Sequence, residues 1–371
     1  MFSISRINSN RPLVIAIFAA LVVFYLVYLT VSQSVTFSAL QSSLNAKIAA
    51  LRNTETTTRE PEKVVDRDIV HLPNVQNDEL EFRSGKNIFF IVSTLSPEGV
   101  IKLTARQACA IESAARSNAD WKVFPLFVAT TWFNSSNNEF ISPLLRYCNI
   151  HMRYIDLETF AFGTPLESLF AKHALQNSSY IVEHTADVLR LLVLYKYGGT
   201  YLDTDVIVRR SFDLLLPNYL GSEGSGYVAN GVINLEATGY GHRFAESCLN
   251  DLAEHFDGKV WAANGPFMVT RNLQKFCNVS EVANMTRARC GGQLSVHPPD
   301  VFYRIRYPRH DWFFYPERTE AVMTSIKDDI LVHMWNKATS GIQLKVNSTA
   351  AYVKLAHEYC PNVIKRCDEF F

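Results

Sequence analysis

Asp203 and Asp205, in the stretch Tyr197-Gly-Gly-Thr-Tyr-Leu-Asp-Thr-Asp205, are the residues of this chain best suited to chemistry. Carboxylate oxygens are hard ligands that match Mn2+ or Mg2+, and such ions typically bind through one or two protein carboxylates plus the phosphates of a substrate. Read as a strand, Tyr201 to Val208 has a two-residue period that puts Tyr201, Asp203 and Asp205 on one face and Leu202, Thr204 and Val206 on the other. A metal held there would offset charge growing on a departing diphosphate, which is Lewis-acid catalysis without a proton transfer. The plain alternative is an Asp-x-Asp on a solvated turn. The apolar surroundings favour the metal site, because an unpaired charge buried in such a strand is costly.

The elements that must position this pair are readable around it. His184 to Tyr197 carries a broad apolar surface (Val188, Leu189, Leu191, Leu192, Val193) and reads as a helix. Gly198 and Gly199 end it, since glycine takes the left-handed conformation that closes a helix and frees the reversal that follows. Upstream, Asn87 to Ser93 is a buried-strand pattern, Leu103 to Ser117 a helix and Val123 to Ala129 another apolar strand. This βαβ opening predicts an α/β domain with a central, mostly parallel sheet covered on both faces, its ligand site beyond the carboxyl ends of the strands. The strand bearing Asp203 and Asp205 should be central.

Before that domain the composition changes twice. Leu13 to Val31 is an uncharged apolar run, preceded by a tail with Arg6 and Arg11 and no acid, which predicts one transmembrane signal anchor at 13–31 with a cytosolic tail at 1–12. A cleaved signal peptide, with Ser32-Gln33-Ser34 as its site, is the alternative, but the run is longer than the usual h-region of about 7 to 15 residues. Residues 32–85 are polar and lack apolar periodicity, so they read as a stem, leaving 86–371 as a lumenal catalytic domain. So short a span suits the thinner membranes of the early secretory pathway, the Golgi rather than the plasma membrane.

Charge is balanced at 36 basic against 36 acidic residues, which removes any electrostatic case for nucleic acid as a partner. Sequons at Asn134, Asn177, Asn278, Asn284 and Asn347 and the 7 cysteines fit an oxidising, lumenal setting. No spacing suggests zinc. Cys277 with Cys290 and Cys360 with Cys367 form candidate local bridges, unpaired buried thiols being the alternative.

The chain resembles the α1,4-glycosyltransferase family that contains lactosylceramide 4-alpha-galactosyltransferase and invertebrate α1,4-N-acetylgalactosaminyltransferases. The resemblance is carried by the Arg106–Ala115 and Asp187–Asp205 blocks, Asn230-Gly-Val232, Trp261-Ala-Ala-Asn264-Gly-Pro266, Pro298–Tyr303 and His333-Met-Trp335-Asn336-Lys337. It implies a GT-A type nucleotide-sugar-binding domain, a UDP-galactose or UDP-N-acetylgalactosamine donor, manganese dependence, retention of anomeric configuration, a glycosphingolipid acceptor and single-pass type II topology in the Golgi membrane. Residue by residue it implies that Asp205 binds the metal, with Asp203 bridging to the ribose or a metal-bound water and His333 completing the shell or touching the diphosphate. It implies donor contacts for Asp187 and Arg190, three apart on one helix face, and for Tyr201, Asn230, Asn264, Trp335, Asn336 and Lys337.

Other readings stand beside these. Asp187 with Arg190 could be a helix-surface ion pair, His333 structural, and Trp335 ordinary core packing. Asn230-Gly231 and Asn264-Gly265-Pro266 are turn sequences in their own right. Phe302 to Tyr315, with Arg304, Arg306, Arg309 and Trp312, is either an acceptor wall or core. No carboxylate outside the metal site is marked by spacing as a nucleophile for a retaining reaction. A mannosyltransferase using GDP-mannose and a catalytically silent lumenal binding glycoprotein are the two competing functions.

Overall fold

The computed structural model describes residues 68–371, apart from 79–80, 95–99, 129, 136–137 and 225. The tail, the anchor expected at 13–31 and most of the stem lie outside the described residues. Among the described residues no helix is long and apolar enough to cross a membrane.

The strands are β1 (Ile69–His71), β2 (Asn87–Val92), β3 (Lys122–Val128), β4 (Trp132–Asn134), β5 (Arg153–Ile155), β6 (Gly199–Leu202), β7 (Val206–Val208), β8 (Tyr219–Ser222), β9 (Val228–Leu235), β10 (Ser295–His297) and β11 (Leu331–His333). Seven form one sheet in the order β10-β8-β9-β6-β2-β3-β5, with β6 in the middle. The sheet is mixed: β9 runs antiparallel to both β6 and β8, and the remaining pairings are parallel. The two-residue alternation of β2 explains the layering. Ile88, Phe90 and Val92 point into one core, shared with the helices Ala105–Ser117 and Ala351–Tyr359. Phe89 and Ile91 point into the other, under the helices Ile181–Tyr197, Gly239–His255 and Met268–Cys277. Both faces are therefore covered, as the buried strand patterns require.

Three expectations are corrected. Tyr201 to Val208 is two strands: β6 ends at Leu202, and β7 pairs with β11 in a separate two-stranded sheet. Buried on both faces, the central strand has no room for carboxylates, so the chain turns out at Asp203, Thr204 and Asp205. The folded domain also begins before residue 86. β1 pairs with β4, and Val75 and Phe82 are buried in the core, so the compact unit takes in the described residues from Asp68 onward. Cys277 does bond Cys290, whereas Cys360 bonds Cys109 and not Cys367. The helices carrying Cys109 and the approach to Cys360 share one core, which brings their Cα atoms to 5.0 Å.

Of the sequon asparagines, Asn177, Asn278, Asn284 and Asn347 are exposed and Asn134 is half-buried on β4.

Candidate active site

The helix Ile181–Tyr197 delivers the first part of the site. Its end needs both glycines. Gly198 and Gly199 have φ of 63° and 109°, and a Cβ on Gly199 would stand 2.7 Å from the Asn87 carbonyl oxygen. The chain thus reverses tightly into β6, whose C-terminus lies at the carboxyl edge of the sheet.

About two to three turns back from the helix end, Asp187 and Arg190 form a buried pair 3.1 Å apart, so they are not a surface ion pair. Arg190 also donates to the Asn230 carbonyl at 2.6 Å, reaches Asp203 Oδ1 at 3.1 Å and lies over the Tyr201 ring at 4.5 Å. The Asn230 amide donates to Asp187 Oδ1 at 2.7 Å, and Tyr201 donates its hydroxyl to Asp203 Oδ1 at 2.6 Å. Charge within this network is strongly biased. Burial raises the Asp187 carboxyl against the pull of Arg190 and Asn230. Burial acts the same way on Asp203 but is overcome by Arg190, His333 and Tyr201, which hold its carboxyl well below the usual range. Burial pushes the Tyr201 phenol up.

The second part comes from the β7–β11 pair. His333 stands opposite Val206, which sets its ring beside Asp205. His333 Nε2 lies 3.2 Å from Asp205 Oδ1 and 3.7 Å from Asp203 Oδ2. The remaining Asp205 oxygen, Oδ2, accepts the Asn336 backbone N–H at 2.7 Å, and the Asp205 carbonyl accepts Met334 N–H. Burial would lower the His333 pKa, but Asp205 and Asp203 hold it up to about 10. The Trp335 N–H lies 3.2 Å from Nδ1, a contact suited to a neutral ring. One such hydrogen bond contributes about 1 kcal/mol, less than two facing carboxylates.

Ligand atoms of Asp203, Asp205 and His333 all lie within 4.8 Å of one another. Two carboxylates and one imidazole make a donor set that fits Mn2+, and fits Mg2+ less well because of the nitrogen. The Oδ1 of Asp203 is committed to Arg190 and Tyr201, which leaves Oδ2 facing the cluster.

These three residues line a cleft of about 850 Å³ together with Asn230, Tyr303 and Trp335. Trp335, in the left-handed region at φ 56°, packs its ring edge-on to His333 at 4.6 Å and donates Nε1–H to the Ile305 carbonyl. Lys337 also lines the cleft, where its ammonium is paired with Glu183. Asn336 contributes its backbone to Asp205. Asn264 lies apart: its side-chain amide bonds both backbone groups of Asp257, and it is not among the residues lining the cleft.

The Phe302–Tyr315 segment divides. Tyr303, Arg306 and Tyr307 line the cleft, whereas Phe302, Phe313 and Phe314 are core and Arg304 donates to Asp329 at 2.7 Å. Tyr303 falls within the segment expected to be acceptor wall or core, whereas Trp261 was given no role of its own and no signal marked Glu223, on the loop after β8, as a cleft residue. Trp261 is held by the fully buried His184, which bonds the Trp261 carbonyl and the Ser178 hydroxyl.

Residues 104–222 match the family model for a glycosyltransferase sugar-binding region containing the DXD motif, which defines the class as a glycosyltransferase. Residues 237–367 match the alpha 1,4-glycosyltransferase conserved region. Lactosylceramide 4-alpha-galactosyltransferase of Homo sapiens is 32% identical over 257 residues, covering 68% of this chain and 70% of that protein. The Mus musculus protein of the same name is 30% identical, covering 74% of each chain. Alpha-1,4-N-acetylglucosaminyltransferase of Homo sapiens is 26% identical, covering 70% of this chain and 75% of that protein. The chain belongs to the α1,4-glycosyltransferase family.

Proposed function

We propose that the chain is a GT-A type, retaining α1,4-glycosyltransferase of the Golgi membrane that moves galactose or N-acetylgalactosamine from a UDP donor to the terminal sugar of a glycosphingolipid. The observation that carries this reading is the Asp203–Asp205–His333 cluster opening on a cleft beside the buried Asp187–Arg190–Asn230 network. Membership of the family supports the lipid acceptor, the Golgi setting and retention as parts of this reading. Galactose is supported by the names of the galactosyltransferase relatives, and N-acetylgalactosamine by the sequence resemblance.

Asp205, His333 and Oδ2 of Asp203 would hold a divalent ion, which when bound supplies charge compensation for the diphosphate leaving group. Arg190 keeps Asp203 ionised and oriented, and the Asn336 N–H fixes the rotation of Asp205. Asn230 lines the cleft, its side chain fixed by Asp187, a position suited to contact with the hydroxyls of the transferred sugar. Lys337 adds a cation at the cleft, partly compensated by Glu183.

The test is a transfer assay on the full-length chain in detergent with manganese. UDP-galactose, UDP-N-acetylgalactosamine and UDP-N-acetylglucosamine are offered separately to lactosylceramide and to a glycolipid ending in β-linked N-acetylgalactosamine. Transfer from one of the first two donors is expected, falling at least about a hundredfold in Asp205→Ala. Transfer only from UDP-N-acetylglucosamine would replace the donor assignment. No transfer and no donor hydrolysis by folded protein would overturn the reading.

A further inference from the structure

Tyr303 is 1% exposed, and its hydroxyl has no hydrogen-bond partner among the described residues. Leaving a buried hydroxyl unpaired is destabilising, and phenylalanine would fill the same volume without that cost. The ring is closely held: its centroid lies 5.4 Å from that of His333 and 5.8 Å from that of Trp335, and a Cβ on Gly221 would stand 2.8 Å from its edge. The hydroxyl faces Gly231. A Cβ built there would lie 3.3 Å from the Tyr303 oxygen and 2.6 Å from Asp203 Oδ2. Tyr303 lines the cleft.

Building on the donor reading above, we propose that the Tyr303 hydroxyl is a donor-contact group, hydrogen-bonded to an oxygen of the transferred sugar. The surroundings select sugar over phosphate. Arg306 and Lys337 also line the cleft, but the charges acting most strongly on this hydroxyl are the carboxylates of Asp203, Glu223 and Asp205, and a neutral hydroxyl among carboxylates suits a sugar hydroxyl, which both donates and accepts, better than a phosphate. The neighbour of Gly231 is Asn230, whose amide is already joined to Asp187. Tyr303 would thus hold one side of the sugar and Asn230, fixed by Asp187, the other.

Tyr303→Phe removes the hydroxyl and keeps the ring, so the variant should unfold at the same temperature as the wild type or slightly higher. Binding of UDP, UDP-galactose and UDP-N-acetylgalactosamine, each with manganese, is measured by calorimetry on full-length wild type and variant. The expected result is unchanged affinity for UDP and an affinity for the bound UDP-sugar lowered about three- to tenfold, the range of one hydrogen bond. Deoxy analogues of that sugar give a second readout: removing the contacted hydroxyl should weaken binding to the wild type and not to Tyr303→Phe. Equal losses for UDP and UDP-sugar would move the contact to the diphosphate and overturn the proposal, as would unchanged UDP-sugar affinity or a large drop in unfolding temperature. A wild type that binds no UDP-sugar would overturn the donor reading and this inference with it.

Discussion

At the scale of single residues, His333 should give the site its pH dependence. Without metal its pKa is raised to about 10, so at pH 7 the ring holds a proton facing Asp205 and Asp203. An ion entering the cluster must displace it. Proton and metal compete, and the apparent affinity for Mn2+ should therefore rise with pH, by roughly a hundredfold between pH 6 and pH 8. Calorimetric titration at pH 7 in two buffers of different ionisation heat should register release of about one proton, absent in His333→Gln. A pH-independent affinity would rule this out. The carboxylates of the cluster were legible because two aspartates in an apolar stretch need a compensating charge. Tyr303 was not, since an unpaired hydroxyl is a property of the folded surroundings and leaves no mark in the spacing.

At the scale of elements, β9 matters as much as the turn that carries the aspartates. The Asp203 N–H donates to the Gly231 carbonyl at 2.9 Å, and Gly231 has no side chain to collide with the carboxylate. Gly231→Ala should leave far-ultraviolet circular dichroism unchanged yet weaken Mn2+ binding about tenfold or more, since the new methyl displaces Asp203 Oδ2 from the cluster. Retained affinity would mean that β9 shifts instead. The helix into Gly198-Gly199 was legible from its apolar surface and terminal glycines, and β2 and β3 from their buried runs. The break after Leu202 was not: the two-residue spacing of Tyr201, Asp203 and Asp205 runs across it although the chain changes sheets. The antiparallel course of β9 was equally hidden, because alternation looks the same in either direction. The helix expected from Leu103 starts at Ala105, where Thr104 and Gln107 form a capping box.

At the scale of the whole molecule, the Cys109–Cys360 bond closes a sequence separation of 251 residues, against 13 for Cys277–Cys290. Loop-closure entropy assigns about 5 kcal/mol to the first and about 3 kcal/mol to the second. Cys109→Ala should therefore lower the denaturant midpoint more than Cys277→Ala; the reverse order would show that the long bond's enclosed loop is already constrained when unfolded. The partner of Cys109 could not be read from the chain, since nothing local connects it to Cys360. The same bond also sets a delay. Chains are made at about 5–20 residues per second, so Cys109 waits on the order of ten to fifty seconds for its partner to be synthesised. Meanwhile Cys148 and Cys248, both free in the finished fold, emerge first. Correct maturation thus depends on an oxidation machinery slow enough, or reversible enough, to leave that thiol for the end of synthesis.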